Sequence, residues 1–175
     1  YRELGLPLLL DQRFELRLDK KTPTPTFSEP VTAMSPERRM MGLFRRGEND
    51  HPSNMRLVWQ ALGRLGDLAR ARPWVSMDRY MPTEDGPYQF FVGLEMLPHE
   101  EVLPGLHSLE LEKRNEAHIN FFGSFEELWQ GSYAKLWCHV LPEYGLRTEA
   151  SMWKRAPSAP LSPDTPLSLQ IPLAA

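Results

Sequence analysis

The run from Leu106 to Leu146, LHSLELEKRNEAHINFFGSFEELWQGSYAKLWCHVLPEYGL, constrains the fold more than any other segment. Leu109 and Leu111 alternate with Glu110 and Glu112, and Ile119 and Phe121 carry apolar side chains to one face, which is strand periodicity. Between them the charged stretch Lys113 to Glu116 reads as a turn or a bulge. Gly123 then turns the chain. Ser124 with Glu127 three residues later forms a capping box, and Phe125, Trp129, Tyr133, Leu136 and Trp137 fall on one helical face. Pro142 and Gly145 stop that helix. Four prolines between Pro157 and Pro166 keep the next segment irregular, and Leu167 to Leu173 alternates again as a last strand.

The first half repeats this order. Arg39 to Phe44 is apolar and predicts a strand. Ser53 is an expected N-cap, and Met55, Val58, Trp59, Leu62, Leu65 and Leu68 at helical spacing carry a helix to about Ala71, ended by Pro73. Trp74 to Tyr80 and the aromatic run Tyr88 to Met96 are two further strands, separated by a turn at Thr83 to Pro87. Strand, helix, strand, strand therefore occurs twice. The expected fold class is α+β: two such units side by side make one mixed antiparallel sheet with two long helices on one face. Residues 1–37 are expected to be an N-terminal extension and a Pro/Thr linker. The domain proper is expected to span 38–175.

A net charge of −3 over 175 residues gives no field that would gather nucleic acid or an anionic membrane. The single cysteine, Cys138, excludes an internal disulfide, and its place on an apolar helix suits a buried thiol. The five histidines show neither an i, i+4 pair nor a His-Glu-x-x-His pattern, so neither metal nor cofactor is expected. Nothing approaches the run of about 18 apolar residues that a membrane helix needs, and a cytoplasmic location is the expectation. No phosphate loop, nucleophile elbow or Ser/His/Asp order is present.

The entry into the second helix, the Leu-Pro-Glu-x-Gly exit at Leu141 to Gly145, and the terminal Gln170-Ile171-Pro172-Leu173 together resemble the second half of a GyrI-like domain. The resemblance runs from about Arg38 to Leu173, and it implies that the two units are pseudo-symmetric, with a groove between them that takes the ligand. That family supplies small-molecule-binding domains to bacterial transcription regulators, AraC-type regulators among them. The opening Tyr1-Arg2 also matches the sequence with which AraC-type DNA-binding regions end. The resemblance thus implies an effector-binding domain without chemistry of its own, its DNA contact made only through a separate helix-turn-helix unit outside this chain. Two alternatives stay open: a standalone protein acting by protein–protein contact, as gyrase-inhibiting members do, and a small-molecule hydrolase. Cation-binding members place glutamates at two late positions that are Trp153 and Ser168 here, so the resemblance implies a neutral, aromatic or lipophilic ligand.

Aromatic side chains suit flat ligands, because stacking adds about 0.5–1.5 kcal/mol beyond burial. Trp59, Tyr88, Phe90, Tyr133, Trp137 and Trp153 are the expected ligand-binding residues, with Tyr133 as a hydrogen-bonding wall. Glu95, an acid inside an apolar strand, joins them as the one carboxylate placed to meet a cationic ligand. The same aromatics also serve as core bulk, and Glu95 is equally compatible with a solvent-facing edge.

Overall fold

The computed structural model describes residues 26–83, 86–123, 127–128, 132–157 and 167–175. Nine strands make one sheet: β1 (Thr26–Phe27), β2 (Val31–Ser35), β3 (Arg38–Gly47), β4 (Trp74–Thr83), β5 (Gly86–Glu95), β6 (His107–Leu111), β7 (Arg114–Phe122), β8 (Ser151–Ala156) and β9 (Leu167–Pro172). Their order is β1-β7-β9-β8-β4-β5-β3-β6, with β2 also paired to β7. Every pairing among these strands is antiparallel, so no mixed sheet forms.

The expected repeat is visible in the pairing. β3-β5-β4 is mirrored by β7-β9-β8, and the halves meet where β4 pairs β8, from Trp74↔Ala156 to Arg79↔Ser151. They also meet at the opposite end of the order. Ser35 pairs Arg114 and Arg38 pairs Leu111, so one register runs from β2 into β3 and from β7 back into β6 across both short breaks. Two long strands thus close the sheet into a ring. The boundary expected at residue 37 falls between β2 and β3, both of which belong to this sheet; the apolar alternation of residues 14–18 lies outside the described residues.

Helix α1 (His51–Leu65) is capped by Asp50, whose side chain accepts from the Ser53 amide at 3.2 Å. Ser53, the expected cap, is the residue that donates. Asn54, Ala61 and Leu65 are buried, with Leu57, Val58 and Leu62 packed against the core. The helix stops at Gly66, whose φ of 55° suits a residue without Cβ, and a short α2 (Leu68–Ala71) follows. The single helix expected to Ala71 is therefore two pieces. Gly63 sits exposed in α1, and a Cβ built there meets nothing within 4 Å. Gly63→Ala is expected to raise stability by about 0.5–1 kcal/mol, because alanine has less backbone entropy to lose. A urea midpoint that falls instead would show an unseen contact at that position.

The expected second long helix falls only partly within the described residues. Among the described residues this segment is α3 (Tyr133–Lys135), a π-helical stretch at Leu136–Val140 and α4 (Leu141–Glu143). Pro142 has no N–H to continue the α-helical ladder, and the Leu141 amide reaches back to the Leu136 carbonyl, the five-residue spacing of a π turn. The expected cap at Ser124, and Trp129, lie outside the described residues.

Strand parity then divides the core. Met41, Leu43, Trp74, Tyr88, Phe90, Val92, Leu94, Phe121, Leu169 and Ile171 form the cluster that the helical segments cover through Ala61, Leu65, Leu136 and Leu141. The other face carries a smaller cluster of Met40, Val75, Met77, Phe91, Leu111 and Trp153. Phe91 and Trp153 both pair Met77, one on each side. Two strand spacings would separate them by about 9.6 Å, yet their ring centroids are 5.9 Å apart. The side chains of this face converge, as they do inside a curled sheet.

Candidate functional site

The largest concentration of buried polar chemistry on the helix-covered face lies on the central strand pair β4–β8. Alternation along β4 puts Asp78 on the same face as Trp74, and alternation along β8 puts Lys154 on the same face as Met152. The Asp78 and Lys154 side chains are 6% and 2% exposed and form an ion pair. Burying two charges costs several kcal/mol per ion unless further hydrogen bonds satisfy both. Two hydroxyls supply them, and Asn54 supports one of the two. The Tyr88 hydroxyl of β5 donates to Asp78 Oδ1. The Tyr133 hydroxyl of α3 donates to Asp78 Oδ2 at 3.1 Å and accepts from Lys154 Nζ at 3.0 Å. Asn54, from the first turn of α1, donates to the Tyr88 hydroxyl at 2.9 Å and accepts from Arg45 at 2.6 Å. α3 therefore contacts the pair of charges directly, and α1 is linked to it through the Tyr88 hydroxyl.

The aromatic surroundings are equally specific. Lys154 Nζ sits 5.9 Å from the Phe90 ring centroid and 5.7 Å from that of Tyr133. Tyr80, half exposed and hydrogen-bonded from Asn49, sets its ring tilted against that of Tyr88, centroids 5.3 Å apart. A path of tyrosines thus leads from solvent at Tyr80 to the charge pair. Burial first, then the nearby Asp78 charge, raises the Tyr80 hydroxyl to about 12. The same two causes in the same order push the Tyr88 and Tyr133 hydroxyls well above their ordinary value too. At neutral pH all three are hydroxyls, able to donate and accept hydrogen bonds but not to act as phenolate bases or nucleophiles.

Tyr88, Phe90 and Tyr133, three of the expected site residues, meet here. Trp137 lies on the neighbouring π-helical stretch, half buried against the same core. Trp59 is 63% exposed on α1; Val58 beside it takes the inward position, and one residue further on is about 100° around the helix. Trp153 is buried on the opposite face of the sheet. Glu95 lies on that opposite face too, paired with Arg155 at 2.5 Å. Its odd position among Tyr88, Phe90, Val92 and Leu94 turns it away from them. Asp78, Lys154 and Asn54 are the polar members that the sequence reading missed. Alternation with Trp74 marks Asp78, and alternation with Met152 marks Lys154.

A second polar group occupies the ring closure. Glu116, fully buried, accepts from Ser35 Oγ at 2.6 Å, Arg38 Nη2 at 2.6 Å and Arg114 Nε at 2.8 Å, and Arg38 also donates to Gln170 at 2.8 Å. A cavity of about 350 Å³ opens elsewhere, lined by Pro73, Asn120, Phe122, Arg155, Ala156, Pro157 and Ser168. None of the seven expected ligand residues lines it. We place the candidate site at Asp78 and Lys154 because the cavity is open, and its one charged residue, Arg155, is already paired with Glu95. Among the described residues no group of three or more metal-ligating side chains occurs, and no helix is long and apolar enough to cross a membrane.

Neither any protein-family model nor any curated protein matches the sequence. Solved structures do match. SAV2435 bound to tetraphenylphosphonium superposes with a TM-score of 0.62 at 11% identity, over 85% of this chain and 95% of that one. A Staphylococcus aureus protein described as a transcription regulation protein gives 0.58 at 13% identity, over 84% and 99%. The C-terminal domain of EcmrR gives 0.53 at 11% identity, over 83% and 97%. This chain shares their fold. At such identities the likeness speaks for the backbone alone.

Proposed function

We propose that this chain is a GyrI-like effector-binding domain. It takes a small, neutral, aromatic or lipophilic molecule between α1 and α3 and reports occupancy to an attached or partner transcription regulator. The observation that carries the reading is the buried Asp78–Lys154 pair, held by the Tyr88 and Tyr133 hydroxyls, with Asn54 bonded to the former, and walled by Tyr80, Tyr88, Phe90 and Tyr133. A ligand that displaces or joins the Tyr133 hydroxyl contacts α3, β4 and β8 together, so binding biases their relative positions. The structural neighbours named as a transcription regulation protein and as a ligand-bound protein support this use of the fold. The site is assigned binding without turnover, since its hydroxyls stay protonated and its charges are paired.

The test is binding of neutral aromatic compounds, followed by calorimetry and by quenching of tryptophan fluorescence. Micromolar affinity, about −8 kcal/mol, is expected for the best of them. Tyr133→Phe removes one hydroxyl and should weaken binding about tenfold. If the hits ignore Tyr133→Phe and Tyr88→Phe but are lost in Arg155→Ala, the ligand sits in the cavity on the other face and the assignment is wrong.

A further inference from the structure

A carboxylate, two aromatic rings facing one point and hydroxyls that accept hydrogen bonds are the components of a receptor for an organic cation. All are present around Asp78, yet the point they surround is already filled: Lys154 Nζ contacts Asp78, lies 5.7 and 5.9 Å from the Tyr133 and Phe90 ring centroids, and donates to the Tyr133 hydroxyl. We infer that Lys154 is a tethered occupant of an organic-cation cage and is the residue that sets the charge selectivity of the site. This deepens the effector-binding reading and rests on it for the location.

The physical argument is competition at fixed geometry. A lysine on β8 is held at the cage by its own backbone, so its effective concentration there far exceeds that of any free ligand. A free cation entering the site would meet the Lys154 charge at close range and would find Asp78 already neutralised. Neutral ligands meet no such repulsion. Shortening the lysine to alanine removes the occupant and leaves the carboxylate, the rings and the hydroxyls. A quaternary ammonium should then take the vacated place, since its weakly hydrated charge is cheaper to desolvate than a bare metal ion's.

The experiment compares choline with its neutral isostere 3,3-dimethyl-1-butanol, both at millimolar concentration and constant ionic strength, by thermal unfolding of the whole chain. In the unsubstituted protein neither should shift the midpoint. In Lys154→Ala, choline should raise it by at least about 3 °C through linkage to binding, and the alcohol should not. Equal responses to the two compounds, or no response to choline, overturn the inference. Lys154→Ala leaves Asp78 buried without its partner and is marginal, so a variant that is unfolded alone should fold on addition of choline; one that stays unfolded in choline also overturns it. Lys154→Met/Asp78→Asn lacks both charges and should be indifferent to choline; a response there assigns the effect to another place. Failure of neutral aromatics to bind the unsubstituted protein would defeat the effector reading while leaving the choline result intact, so the two can fail separately.

Discussion

Gly93→Ala is expected to abolish the native fold or to cost at least about 3 kcal/mol, far more than an alanine usually costs in a strand. Gly93 on β5 directly opposes Gly42 on β3. A Cβ at Gly93 would lie 2.0 Å from the Met41 carbonyl oxygen, and a Cβ at Gly42 would lie 2.0 Å from the Val92 carbonyl oxygen. Both obstacles are backbone atoms, so no rotamer change relieves them. The strands must separate just where Leu43, Val92 and Leu94 build the core. A domain has only about 5–15 kcal/mol in hand. Gly42→Ala should behave alike, because the contact is reciprocal. The check is the urea midpoint by circular dichroism; an unchanged midpoint in either variant would refute the close approach of β3 and β5.

Glu116→Ala is expected to destabilise the fold by about 3–5 kcal/mol, the usual cost of leaving one member of a buried ion pair behind. The stranded group is Arg38, whose side chain is 7% exposed. The balance is already tight, since Arg38 Nε and Arg114 Nη2 are buried without a hydrogen-bond partner among the described residues. Burial alone would raise the Glu116 carboxyl. Hydrogen bonds from Ser35 and Arg114, with the charges of Arg38 and Arg114, outweigh it and hold the group below its ordinary value of 4.5. A carboxyl whose folded value is lowered stabilises the fold fully above its unfolded value, and that stability is lost as pH falls through the folded one. The gap between the unsubstituted protein and Glu116→Gln should therefore be largest above about pH 4.5 and shrink with further acidification. A gap that stays constant with pH would mean that the Glu116 charge contributes nothing to the fold.

Much of this architecture could be read from periodicity. The strands at Trp74 and Tyr88, the helix after Asp50 and the closing strand at Leu167 all appear as apolar spacing, because each buries one regular face. Part of the candidate site was readable for the same reason: Tyr88 and Phe90 share a parity, and that parity faces the helices. Glu95 was attractive because it stands among apolar residues, but its odd parity already separated it from Tyr88. Asp78 was overlooked because Asp78-Arg79 looks like the polar end of a strand. Only the pairing of β4 with β8, residues some 76 positions apart at Asp78 and Lys154, reveals the partner that makes its burial tolerable. Trp153 shows the converse limit. Its bulk marks it as buried, but which face of β8 the helices cover depends on the order of strands, which no local pattern encodes. The π-helical stretch before Pro142 likewise departs from the α-helical spacing read for that segment.

The exchange of strands at the ring closure has a kinetic consequence. β2, from the first half, is hydrogen-bonded to β7, and β6, from the second half, to β3; Ser35 and Glu116, joined by a hydrogen bond, are 81 positions apart. Neither half can complete its own sheet, so an early-folding half would expose unpaired edges until the other arrived. Such distant pairings must pay for closing a long loop before they contribute any stability. Folding should consequently be limited by the encounter of the two halves, on the millisecond-to-second scale typical of sheets with distant partners. Until that encounter the free edges of β3 and β7 are the places where a second unfolded copy would compete for pairing.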